Sequence, residues 1–316
     1  MTVKTEKNLK ILVLGGSGFV GSNLVKALKT TNHTIFSASR SNGTDLLNYN
    51  STEKCLTEIK PDIIFNCAAH VGSVHYVTKF AADVIRDNMQ MTLNLYQAVS
   101  KICPTAKIIN PLSNCSYPGE SAVQLESEWW DGEVHDSVFS YGNAKKFLYV
   151  VSKCYKKQYK INSVNFLIPN TFGPGDSADP NKTHALNGII IRMLKAKKDN
   201  SPKFEIWGTG KPIREWAYID DVVKLMMKGI FIESDLVYPI NLGQKKGYSI
   251  KESAKFVAEA LGYKGKLYFN TDYQDGAMVK ILDNKKFKKL FPNFKFFDHK
   301  KGIQNTVNYY KSKLNI

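Results

Sequence analysis

The chain has 316 residues, of which 44 are Lys or Arg and 28 are Asp or Glu, giving a formal net charge of +16. Hydrophobic residues make up 43% and charged residues 23%, ordinary globular values that exclude wholesale disorder. No apolar run approaches the roughly 18 residues that a membrane span needs, and the polar stretch from Met1 to Lys10 carries no hydrophobic signal core.

In chain order, residues 10–14 (KILVL) form a short apolar run ending in glycines, the pattern of a buried parallel strand. Residues 18–30 then carry Phe19, Val20, Leu24, Val25 and Leu28 at helical spacing. Residues 34–38 read as a second strand, and Pro61-Asp62 leads into a third, IIFNCAA. A helix is expected over about 81–100, with strands over 107–111 and 162–168. This alternation predicts a doubly wound α/β fold, a parallel sheet with helices on both faces.

After residue 169 the texture changes. Pro169, Gly173, Pro174, Gly175, Asp179 and Pro180 predict a long irregular loop. Helices are expected at about 184–198, 220–231 and 249–261, and short strands at 204–207 and 238–242. No repeat or clean linker separates the halves. The expectation is a dinucleotide-binding domain of residues 1–168 plus about 216–247. A smaller, interleaved α/β substrate-binding part takes about 169–215 plus 248–316.

Cys55, Cys67, Cys103, Cys115 and Cys154 are odd in number and none stands at C-x-x-C spacing, so neither a disulfide framework nor a zinc knot is expected. Reduced thiols point to a cytoplasmic setting. The lysines are scattered, as in Lys156, Lys157, Lys197, Lys198, Lys285 and Lys286. The tail from Lys280 to Lys313 interleaves Lys with Phe and Tyr, which reads as an amphipathic element with a solvated basic face and not as a nucleic-acid surface. No metal or membrane partner is expected.

Residues 11–24 read ILVLGGSGFVGSNL, with Gly15, Gly18 and Gly21 spaced three apart between a strand and a helix. Glycines there let the backbone turn tightly and approach a pyrophosphate seated among free N–H groups. The second strand ends SASRSNG, where an acidic residue would grip a ribose 2′-hydroxyl. Arg40 stands there instead and suits a 2′-phosphate, which favours NADP(H) over NAD(H). Asp45-Leu46 follows and places a carboxylate near the adenine.

Tyr141 and Lys145, in YGNAKK, lie four residues apart on one helical face, and Ser113 lies just past the strand KIINP. Together they can work on a carbonyl. A neighbouring ammonium and a cationic nicotinamide ring are expected to lower the phenol, so that Tyr141 exchanges a proton near neutral pH. Ser113 would hydrogen-bond the same oxygen, and Lys145 would also hold the nicotinamide ribose.

These residues, with KPDIIFNCAAHVG, IRDNMQMTLNLYQA, SNCSYPG, PNTFGPGD, the Asp179–His184 stretch and WGTGKPIREWAYIDD, resemble the extended short-chain dehydrogenases/reductases over nearly the whole chain. The resemblance is to the nucleotide-sugar epimerase/dehydratase group. Within that group it is to the 3,5-epimerase/4-reductases acting on GDP-4-keto-6-deoxymannose. It implies catalytic roles for Ser113, Tyr141 and Lys145, and C3/C5 proton exchange by Cys115 and His184. Read alone, Cys115 is a small buried hydrophobe and His184 a capping histidine.

The resemblance also implies cofactor contacts from Gly15, Ser17, Gly18, Phe19, Val20, Gly21, Arg40, Asp45, Leu46, Ala68, Ala69 and Pro169, with Tyr141 and Lys145. Asn170, Arg192, Trp207, Arg214 and Lys280 would line a nucleotide-sugar site, the three cations suiting a diphosphate. Trp207 also reads as a core aromatic, and Asn88 as a buried hydrogen-bonder. A homodimer through two helices is implied, with 81–100 and 141–157 as candidates.

The chain departs from family text at Ser73, Tyr76 and Asn114 and in the segment before Tyr141, all around the expected sugar ring. Two other readings stay open. One is a C4-reductase or 4-epimerase acting on another nucleotide sugar without C3/C5 epimerisation. The other is a non-catalytic dinucleotide-binding protein.

Overall fold

In β1 (Lys10–Leu14) alternate residues face opposite ways and both faces are covered. Ile11 and Val13 enter one apolar core, Leu12 and Leu14 another. A strand buried on both sides needs helices on both sides, which is why its sequence is a continuous apolar run. The chain supplies them by alternation. After β1 come α1 (Phe19–Leu28), β2 (Thr34–Ala38), α2 (Tyr49–Ile59), β3 (Ile63–Asn66), α3 (Val74–Lys79), α4 (Ala81–Ile102), β4 (Lys107–Ser113), α5 (Phe139–Tyr159) and β5 (Ser163–Ile168). The second part runs β6 (Asn170–Phe172), α6 (Ala185–Lys198), β7 (Lys203–Trp207), β8 (Ile213–Arg214), β9 (Trp216–Tyr218), α7 (Ile219–Lys228), β10 (Ile240–Asn241), β11 (Tyr248–Ser249), α8 (Ile250–Leu261), β12 (Lys266–Asn270), β13 (Val279–Lys280), α9 (Lys285–Leu290) and α10 (His299–Leu314). The structure, a computed structural model, describes residues 8–232, 238–273 and 275–316. Most of the polar N-terminal stretch read above lies outside them, in 1–7.

The main sheet is parallel throughout, in the order β10-β5-β4-β3-β1-β2. From β1 the chain goes to β2 on one side and returns to β3 on the other. That reversal opens a crevice beyond the carboxyl ends of β1 and β3. The remaining strands form three small sheets, β11-β8-β13, β12-β7 and β6-β9. Ile11, Val13 and Phe65 of the main sheet share one core with Phe204, Ile206, Ile303 and Val307, so the two parts have a common interior.

The structure departs from the sequence reading in three places. β3 stops at Asn66, and Ala68 beyond its end lies against Gly15. The expected loop after 169 begins with β6, paired in parallel with β9. Helix α2 carries no legible stripe, because only Thr52, Cys55 and Leu56 are buried on it. The C-terminal tail is amphipathic, as its interleaving predicts: Phe287, Phe291, Phe294 and Phe296 pack on one another and α10 buries Ile303, Val307 and Tyr310, while Lys288, Lys289, Lys300 and Lys301 are exposed. The rings of that tail serve the core.

Candidate active site

The glycine loop turns directly off β1. Gly15 has φ +72°, and a Cβ there would lie 2.6 Å from the backbone nitrogen of Ala68, so loop and crevice wall touch. Gly18 is the N-cap of α1, with no side-chain cap and no acidic residue in the first turn. The helix's first N–H groups therefore lack side-chain acceptors, and an anion is the natural partner for them. Ser17 and Gly18 are exposed; Phe19 and Val20 are half-buried, Phe19 with its ring 5.4 Å from that of His184. Arg40 is exposed at the start of the turn Arg40–Asn42 that ends β2. Asp45 spends one carboxylate oxygen on Leu47 N at 3.1 Å. Leu46, expected at the cofactor, is a core residue whose carbonyl accepts from Asn94 at 2.8 Å. Ala69 is half-buried and Pro169 buried, its carbonyl accepting from the Thr171 hydroxyl. Open N–H groups, a glycine against the wall and an exposed guanidinium fit a dinucleotide carrying a 2′-phosphate.

Ser113 ends β4 and its Oγ accepts from Cys115 N at 3.1 Å. This turn presses on the start of α5: a Cβ on Gly142 would meet Cys115 O at 2.6 Å. Tyr141 is thereby held beside the Ser113–Cys115 turn. Lys145, one helical turn on, is buried with its Nζ 5.4 Å from the Tyr141 ring centre, and with Asn66, Ala68 and Asn88 it lines a small polar cavity under the crevice. The expected lowering of the phenol does not occur in the chain alone. Burial raises Tyr141 above its ordinary value, and the nearby Cys115 adds to that. Burial also pulls Lys145 down to about 8, against an opposing effect of Cys67.

Lys280 is buried at the end of β13 and its ammonium donates to Cys115 Sγ at 3.5 Å. Arg214 pairs with Lys280 in register across β8 and β13. Arg192 lies over Trp207, 4.6 Å from its ring centre, and donates to Glu205 O. Trp207 is not a core aromatic: it is 48% exposed and stacks on Tyr273 at 4.9 Å. Asn170 donates to Glu215 O at 3.3 Å, which ties β6 to the link between β8 and β9.

His184 occupies the N-cap position of α6, but its side chain makes no cap. Its Nδ1 instead meets Asp176 Oδ2 at 3.1 Å, and that oxygen also accepts from His184 N and Asn187 Nδ2. Burial raises the Asp176 carboxyl, but the bonds to His184 and Asn187 more than offset this and hold it below its ordinary value. Asp176 is a positioning residue that the sequence reading missed. The sequence reading also missed the hydrogen-bonded row Asp87–His70–Tyr76, with His70 Nδ1 2.8 Å from Asp87 and Nε2 2.9 Å from the Tyr76 hydroxyl. Asn88 is the buried hydrogen-bonder that was expected, clamping the His70 backbone at N and O. Nothing in the spacing of His70, Tyr76 and Asp87 announces that contact. Tyr76, Cys115 and Tyr141 pack on the same cluster of Val77, Val84, Val134 and Val138.

Among known proteins, the chain is 29% identical to a GDP-L-fucose synthase of Dictyostelium discoideum, covering 98% of this chain and 97% of that one. It is also 29% identical to a GDP-L-colitose synthase of Yersinia pseudotuberculosis, covering 97% and 99%. Its fold is similar to that of a GDP-mannoheptose C4 reductase from Campylobacter jejuni solved with NADP bound, with a TM-score of 0.85, 26% identity, and coverage of 96% and 98%. The model of the NAD dependent epimerase/dehydratase family matches residues 11–230, spanning the glycine loop, the Ser113–Cys115 turn, Tyr141 and His184. The chain belongs to the NAD dependent epimerase/dehydratase family.

Proposed function

We propose that this protein is an NADP(H)-dependent nucleotide-sugar enzyme that reduces the C4 ketone of a GDP-linked 4-keto-6-deoxy sugar and epimerises C3 and C5, like a GDP-L-fucose synthase. One observation carries the reading: the Ser113–Cys115 turn packs against the first turn of α5, beside a crevice built for a dinucleotide. The relatives named for GDP-sugar synthesis and GDP-sugar C4 reduction, one solved with NADP, support the GDP and NADP(H) assignments.

The loop Gly15, Ser17, Gly18, Gly21 and the start of α1 (Phe19, Val20) would hold the pyrophosphate, and Arg40 the 2′-phosphate. Asp45, Ala68, Ala69 and Pro169 would line the rest of the cofactor. When bound, NADPH supplies the hydride. Tyr141 delivers a proton to the C4 oxygen, Ser113 donates a hydrogen bond to it, and Lys145 holds the ribose while its charge favours the phenolate. Protons alpha to the ketone are acidic, so a thiolate at Cys115 and an imidazolium at His184 can exchange them at C3 and C5. Asp176 accepts from His184 Nδ1–H, which leaves the Nε2–H of the imidazolium for the sugar. Arg192 and Arg214 would meet the diphosphate, with Trp207 and Asn170 beside it. The division into residues 1–168 plus 216–247 and the remainder, a homodimer through α4 and α5, where Leu93 and Val150 are exposed, and a cytoplasmic location belong to the same reading.

The test is NADPH oxidation with GDP-4-keto-6-deoxymannose, the product analysed by NMR. Consumption with inversion at C3 and C5 is expected. Consumption without inversion leaves a C4-reductase, the reading favoured by the GDP-mannoheptose C4 reductase and by the Tyr76 and Asn114 departures. A tightly held cofactor with no net consumption indicates a 4-epimerase. No turnover of any nucleotide sugar would leave a binding protein.

A further inference from the structure

Lys280 poses a problem of charge balance. It is 7% exposed, and the partner described for its ammonium is Cys115 Sγ. Arg214, beside it across the β8–β13 pairing, adds a second cation. Among the described residues, the other ionisable groups acting on this cluster are Tyr141, His135 and Asp275. Tyr141 is kept neutral by burial. His135 is held below its ordinary value by burial and then by Lys280 and Arg214. Asp275 acts on Arg214 and is tied to Thr209 by its N–H and hydroxyl. A buried ammonium without an anion is costly. The ionisable atom placed against this one is a sulfur.

We propose that Lys280 holds Cys115 as a thiolate in the resting protein, the two forming an ion pair, so that Lys280 is a positioning residue for proton removal. The other buried thiols provide the contrast. Burial pushes Cys67 up to about 12, although Lys145 opposes it, and Cys103 up to about 11. At Cys115 burial also raises the thiol, but Lys280, the Ser113 hydrogen bond and Arg214 together outweigh it and leave the group below its ordinary value. The catalytic meaning rests on the function proposed above. The thiolate takes a carbon-bound proton alpha to the C4 ketone and becomes a thiol, the C–H electron pair passes into the enolate, and His184 reprotonates the carbon.

The experiment is the pH dependence of Cys115 alkylation by iodoacetamide in the full chain, followed on the Cys115 peptide by mass spectrometry. The wild-type midpoint is expected well below the roughly 8.5 of a free thiol. Lys280→Met should raise it by at least about one pH unit, slowing alkylation at neutral pH about tenfold, and Lys280→Arg should restore most of the rate. An unchanged profile in a folded Lys280→Met protein overturns the proposal. Should that variant not fold, thiolate ultraviolet absorbance at neutral pH in wild type against Cys115→Ser decides: an excess in wild type supports the ion pair, and its absence overturns it. Solvent-deuterium incorporation at C3 and C5 separates this proposal from the function it rests on. A thiolate without incorporation keeps the ion pair and removes the epimerase reading. Incorporation lost in Lys280→Met with an unchanged alkylation profile returns Lys280 to the substrate.

Discussion

The dinucleotide crevice and the sugar side of the cleft are built in opposite ways. The crevice is made of backbone: a loop between β1 and α1, a glycine against Ala68, and uncapped N–H groups, with its one named cation, Arg40, at the surface. The sugar side is made of side chains drawn from far along the chain. Lys280 reaches Cys115 across 165 residues, Asn170 reaches Glu215 across 45, and Asp176 takes His184 from the next turn of chain. A backbone site tolerates almost any side chain except one that intrudes. A site of buried charges tolerates shape changes but not the loss of a partner. The two regions should therefore fail differently under mutation.

The largest effect is expected where the two regions meet. Tyr141→Phe removes the proton donor and should cut NADPH oxidation by about 100- to 10,000-fold while leaving cofactor affinity nearly intact. A variant that retains full oxidation would sink the assigned role. On the backbone side, Gly15→Ala combines a left-handed φ with a contact at 2.6 Å from Ala68 N. It should destabilise by about 2–4 kcal/mol and weaken NADPH binding at least about tenfold, read by thermal melting and fluorescence titration. If binding is unchanged, the loop does not approach the pyrophosphate.

On the side-chain side, Asp176→Asn should cost about 1–3 kcal/mol and slow deuterium exchange at C3 and C5 more than hydride transfer. The carboxyl is held below its ordinary 3.8 in the folded protein. Its stabilisation is thus fully present above the unfolded value and is lost as pH falls through the lower folded value. The melting difference between wild type and variant should be largest at neutral pH and close below a pH of about 4. A difference that persists in acid would show that packing, not charge, is what the variant lost. The smallest effect belongs to the exposed Arg40. Arg40→Ala should reduce the preference for NADPH over NADH by about tenfold, in line with one charge-assisted contact in a solvated position. An unchanged ratio of kcat/KM values would place the 2′-phosphate elsewhere.

The sequence by itself determined the parallel sheet, because strands such as KILVL must be apolar on both faces. It determined the glycine crevice too, because that site lies within one strand–turn–helix unit. Tyr141 and Lys145 were legible for the same reason, sharing a helical face at a spacing of four. Short strands such as β6, β8 and β13, two or three residues long, carry no period of their own and exist only because a partner strand meets them. Tertiary structure alone decided that Trp207 stands at the surface, that burial raises the Tyr141 phenol, that His184 turns to Asp176, and that Lys280 faces a sulfur. The physical reason is range. Backbone geometry and helical spacing act over a few residues, whereas desolvation and charge pairing depend on which distant side chains the fold brings within a few ångströms of one another.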